Sequence, residues 1–117
     1  MTLKECYSAL EGDYESVLSR LMTEKLVQKF VLKFLNDASF NNLEKNINES
    51  NWDDAFREAH TLKGVCQNLS FTKLFSSSSL MTESLRDGNT EEAIRIFLQV
   101  KEDYNQTVSA IKELNII

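Results

Sequence analysis

Along this chain apolar residues recur at gaps of three and four, the period of a helix with one buried face. The pattern is clear from Glu24 to Asn36, where Leu26, Val27, Phe30, Val31, Phe34 and Leu35 follow it. It returns in Trp52, Ala55, Phe56, Ala59, Leu62, Cys66 and Leu69, and again in Leu74, Ser78, Met81 and Leu85. A last row runs through Ala93, Ile94, Phe97, Val100, Tyr104, Val108 and Ile111. Shorter helices are predicted from Leu3 to Leu10, from Asp13 to Leu21, and from Ser39 through Phe40, Leu43 and Ile47.

Boundary residues agree with that division. Gly12 closes the leading segment. Ser50 or Asn51 can cap the helix of Trp52, with Asp53 and Asp54 in the first turn, where the helix dipole favours acids. That helix should end near Ser70, and the next should run from Phe71 to Arg86. Gly88 suits a C-terminal cap, and Asn89-Thr90-Glu91-Glu92 opens the last helix in the manner of a capping box. Amphipathic helices joined by short links pack antiparallel. The expected fold is therefore all-α: an antiparallel up-down four-helix bundle with additional short N-terminal helices, in one domain over residues 1–117. Small residues at Ala55, Ala59, Cys66 and Ser78 should let two helices approach closely.

Composition narrows the class. With no proline and three glycines, the chain has few turn devices, which argues against an all-β fold. A length of 117 residues supports a core without metal or disulfide staples, which are needed mainly below about 40 residues. The net charge is −5 and the basic residues are scattered, so neither nucleic acid nor an anionic membrane surface is an expected partner. No apolar run approaches the roughly 20 residues that span a bilayer. The N-terminus shows no signal-peptide pattern, and Cys6 and Cys66 are expected to be reduced thiols in a cytoplasmic protein, Cys66 on the buried row and inert. One histidine with two distant cysteines makes no metal site.

That one histidine is the candidate for chemistry. On a helical wheel His60 falls roughly 130° from the centre of the buried stripe, on the solvent side. Arg57 and Gly64 cluster with it, Lys63 stands between it and the stripe, and Gln67 lies two turns on. A glycine in mid-helix costs about 1 kcal/mol against alanine, so Gly64 asks for a reason. Its missing side chain makes room for an attached group or for a partner's loop. Imidazole is largely neutral and nucleophilic at neutral pH and can take a phosphoryl group on a ring nitrogen, and Lys63 would neutralise the phosphoryl oxygens, with Arg57 at longer range. Taken singly, each of these residues has an ordinary reading: a surface histidine, a solvated lysine, a packing glycine.

The run Ala59-His60-Thr61-Leu62-Lys63-Gly64, continuing to Asn68-Leu69-Ser70-Phe71, resembles the signature of histidine-containing phosphotransfer (HPt) domains. Leu10-Glu11-Gly12-Asp13 and Leu85-Arg86-Asp87-Gly88 are similar as well, so the likeness covers nearly the whole chain. It implies that His60 is the phospho-acceptor, Lys63 the neutralising cation and Gly64 the docking-space glycine; Gln67 and Arg57, from their place on the same face of the wheel, are expected as further binding residues. The implied role is that of a phosphorelay carrier passing a phosphoryl group between aspartates of response-regulator receiver domains, a hybrid histidine kinase among its partners. It would be a monomer with no cofactor of its own, Mg²⁺ belonging to the receiver. Ser70 departs from the family pattern, which has glycine there; as a helix-boundary residue it can serve as an N-cap. The competing reading is a binding module that docks or sequesters a receiver without phosphotransfer.

Other residues carry less. No Gly-rich phosphate loop and no carboxylate pair stand out, so the chain is not expected to bind ATP or phosphorylate itself. The run Ser76 to Ser79 reads as one helical turn of small side chains, with Ser78 in the core. Ser79 and Thr82 are expected on the neighbouring helix's exposed edge, within a partner's reach. Phe75 is either a partly exposed partner contact or packed on a flanking helix.

Overall fold

The computed structural model describes residues 1–114. Among them are seven helices: α1 (Leu3–Ala9), α2 (Tyr14–Leu21), α3 (Glu24–Phe34), α4 (Ser39–Asn48), α5 (Trp52–Leu69), α6 (Thr72–Arg86) and α7 (Thr90–Lys112). The last four form the expected antiparallel bundle. Phe40 stacks on Tyr104 with ring centroids 4.0 Å apart, and Lys101 bonds Glu44 at 2.8 Å, so α4 and α7 run in opposite directions and close the ring. The buried apolar residues form one cluster, to which α1, α2 and α3 add Cys6, Tyr7, Val17, Val27, Val31 and Phe34.

The stripe on α5 is buried as its spacing requires: Ala55, Ala59, Leu62, Cys66 and Leu69 all face inward, with Trp52 half-buried. Leu74, Ser78, Met81 and Leu85 do the same on α6. The serine run is one turn of α6, and its hydroxyls are spent locally. Ser78 Oγ donates to the Leu74 carbonyl at 2.7 Å and Thr82 Oγ1 to the Ser78 carbonyl at 2.7 Å. Small side chains that satisfy themselves within the helix let α5 and α6 pack closely without orphaned polar groups.

Several expectations change. Thr82 is fully buried and not on an exposed edge, because it lies one turn from Ser78 and shares its inward face. Ser79 is only part-exposed. Phe75 is half-buried against the core and lines a hollow with Asp13, Ser16 and Arg20 of the α2 segment. Neither Ser50 nor Asn51 caps α5 with its side chain; Ser50 instead takes a left-handed turn at φ 56°. Leu26 and Phe30 are about two-fifths exposed, since the outer half of the α3 pattern faces solvent, as does Ile94 on α7. Conversely, Asp103 and Thr107 are buried on α7 although their polarity hid them from the pattern. Asp103 accepts a hydrogen bond from Gln99 at 2.9 Å and lies 4.0 Å from Lys73 Nζ.

Helix ends follow their chemistry. Thr2 and Glu5 make a capping box on α1, and the Asp13 and Thr23 side chains cap α2 and α3. Asn89 caps α7 by accepting from the Glu92 amide through Oδ1, while its Nδ2 donates to the Glu92 carboxylate. Gly88 at φ 74° follows α6, where a Cβ would be strained.

Candidate functional site

The end of α5 is locked in place by the N-terminal pair of helices. Ser70 ends α5 at φ 55° and ψ 39°, the left-handed conformation that favours glycine. The family-like glycine position is thus a C-terminal cap, not an N-cap, and serine occupies it in the glycine conformation. A left-handed residue costs a serine about 1 kcal/mol, and the surroundings hold it there. Its amide and that of Phe71 bond back to the Gln67 and Cys66 carbonyls, and its carbonyl accepts from the Asp13 amide at 2.8 Å. Arg20 of α2 reaches over this turn and donates to the carbonyls of Gln67 at 2.8 Å and Asn68 at 2.7 Å, where the helix dipole favours a cation. The Tyr7 hydroxyl donates to the Leu69 carbonyl at 2.7 Å. Gly12 completes the joint: a Cβ there would lie 2.7 Å from the Ser70 carbonyl oxygen and 2.7 Å from Leu10.

Nine residues upstream of the α5 end the helix surface is bare. His60 is exposed and makes no hydrogen bond to another described residue; its one aromatic neighbour is Phe56, with ring centroids 6.1 Å apart. Lys63, one turn on, is half-buried and enters no ion pair among the described residues. Gly64 is half-buried by its surroundings, yet a Cβ added to it would meet nothing within 4 Å. It is therefore not a packing glycine. Gln67 is exposed on the same side. Arg57 is also exposed, but its guanidinium pairs with Asp54 at 3.1 Å, one turn toward the start of α5.

Two hollows flank this face. One, of about 290 Å³, brings Phe56, Arg57, His60 and Thr61 together with Arg86 of α6. Arg86 lies 5.4 Å over the Phe56 ring and pairs with Glu83 at 3.1 Å. The other, of about 340 Å³, is largely apolar and opens between α3 and the lower half of α5, with Phe30, Val65, Asn68 and Leu69 in its wall. Phe56 and Arg86 were not among the residues expected at the site. Phe56 sits beside the helical stripe and reads as core, and no local spacing brings Arg86 across from α6.

The buried thiols stand apart from this chemistry. Burial pushes Cys66 well above the ordinary thiol range, and burial first, then the charge of Glu113, pushes Cys6 up to about 11. Both stay protonated at neutral pH and are poor nucleophiles. Among the described residues no grouping of side chains could hold a metal ion, and no helix is long and apolar enough to cross a membrane.

The molecule is thus a four-helix bundle with an exposed histidine on the outside of one long helix and a cation and a vacant glycine position one turn on. A family model for the Hpt domain matches residues 29–110, and the chain belongs to that family. Hpt domains carry phosphoryl groups on histidine in phosphorelays and interact with receiver domains. The matched span includes His60, Lys63 and Gly64 and leaves out α1, α2 and the start of α3. No curated protein and no solved structure matches the chain significantly.

Proposed function

We propose that His60 is the phospho-acceptor of a phosphorelay carrier that exchanges its phosphoryl group with aspartates of receiver domains. The observation that carries this reading is the open space at Gly64, one turn from an exposed histidine with no competing hydrogen bond. A ring nitrogen of His60 attacks the aspartyl phosphate of the receiver. The P–O bond breaks, a P–N bond forms, the carboxylate leaves, and the imidazole proton passes to water. Lys63 offsets charge on the phosphoryl oxygens. Mg²⁺ and the remaining apparatus belong to the receiver, and this chain brings no nucleotide site, so transfer runs in both directions. The apolar hollow beside Val65 and Phe30 gives the receiver a surface to bury next to the transfer site.

The test is incubation with a receiver domain phosphorylated on aspartate, in the presence of Mg²⁺. The expected product is an alkali-stable, acid-labile phosphate on this chain, absent in His60→Gln and formed more slowly in Lys63→Ala. Label that persists in His60→Gln overturns the site. Tight docking with no label in the native chain overturns the carrier reading in favour of a sequestering module.

A further inference from the structure

Three cations stand around His60, and they are not equivalent. Arg57 is directed away along its own helix to Asp54, with three-quarters of its side chain in solvent. Lys63 is a point charge on the same helix as His60. Arg86 comes from the last turn of α6 and shares a hollow with the imidazole. Its guanidinium rests 5.4 Å over the Phe56 ring, and the same ring lies 6.1 Å from that of His60. Phe56 thus stands within cation–π reach of the guanidinium and beside the imidazole, a contact that uses none of the N–H donors. One edge is taken by Glu83, one turn back on α6, at 3.1 Å.

We propose that Arg86 is a phosphoryl ligand of phosphorylated His60, and that it exchanges Glu83 for the phosphoryl oxygens when the group arrives. This rests on the carrier reading of His60. Guanidinium presents paired donors that match phosphate geometry, where an ammonium offers a single point of charge. The Arg86–Glu83 pair is half in solvent on both sides, so it holds weakly. A phosphoryl dianion beside the same guanidinium outcompetes a single carboxylate charge. The phosphoryl group is then gripped from two helices, by Lys63 of α5 and by Arg86 of α6. Among the other nearby charges Arg57 lines the same hollow but pairs with Asp54 further out in solvent, Asp53 lies two turns earlier on the His60 side of α5, and Glu83 is the acid in contact with Arg86.

Potassium phosphoramidate tests this without any partner. Its P–N bond breaks, a new P–N bond forms on His60, and ammonia leaves with the ring proton. Phosphorus NMR then follows the second ionisation of the phosphohistidine against pH. A cation at the oxygens favours the dianion and lowers that pKa. The expected shift is upward by about half a unit in Arg86→Gln, smaller in Arg86→Lys, and downward in Glu83→Gln, which frees the guanidinium. Arg57→Gln should move it less than Arg86→Gln. A pKa unchanged in Arg86→Gln, or moved more by Arg57→Gln, overturns the assignment of Arg86. A pKa that does not fall in Glu83→Gln overturns the exchange. If the native chain forms no phosphohistidine while free imidazole does under the same conditions, it is the carrier reading that fails.

Discussion

Gly12 and Gly64 stand in opposite surroundings, and the contrast separates two regions of the molecule. A side-chain atom on Gly12 would strike the Ser70 carbonyl oxygen and the Leu10 and Tyr7 side chains, all within 3 Å. One on Gly64 would meet nothing within 4 Å. The first glycine belongs to a closed joint in which α1 and α2 grip the end of α5 through Tyr7, Asp13 and Arg20. The second belongs to an open face where polar groups are left without partners. Close approach explains a glycine by what is already there; open space on a helix explains it only by what arrives later.

Substitutions can break this comparison, and the largest effect is expected at the joint. Gly12→Ala should destabilise the fold by about 2–3 kcal/mol, because the obstructing atom is backbone and cannot rotate aside. Denaturant melts measure this, and an unchanged midpoint would mean that the joint is looser than described. Arg20→Ala strips the donors from two carbonyls at the end of α5 and should lower stability by about 1–2 kcal/mol. Faster amide exchange at Ser70 and Phe71, ahead of global unfolding, would place the loss there. Gly64→Ala should act with the opposite sign, raising stability by about 1 kcal/mol through helix propensity alone. The same variant should lower the kcat/KM of phosphoryl uptake from a receiver several-fold; a more stable protein with undiminished transfer would show that the space is not used. Ser70→Gly should be nearly neutral, within about 0.5 kcal/mol, as relief of the left-handed strain is offset by lost hydroxyl bonds and a freer unfolded chain.

The open face was more legible in the sequence than the joint. Exposure of His60 and burial of Ala59 and Leu62 follow from the helical period, and Gly64 stood out because helices disfavour glycine. The joint is built from contacts between residues far apart in the chain, such as Arg20 with Gln67 and Tyr7 with Leu69, and no local pattern encodes them. That is why Gly12 read as simple punctuation, and why Ser70 read as an N-cap when it is a left-handed C-cap. Arg86 was hidden for the same reason, since its nearness to His60 depends on how α6 lies against α5. The buried Asp103 on α7 escaped because a hydrophobic pattern counts an acid as surface, while here Gln99 and Lys73 reach it from the more exposed side.

The grip of Arg20 and Tyr7 on α5 also bears on where this protein can be cut. The recognisable family span starts at residue 29, but the groups that fasten the last turn of the histidine-bearing helix lie before it, between Tyr7 and Arg20. A fragment trimmed to residues 29–110 would keep every residue of the proposed chemistry and lose the donors to three carbonyls at the base of the helix that displays it. Its helix end would fray toward Gln67, so the part of the chain that carries the signature depends for its shape on a part that does not.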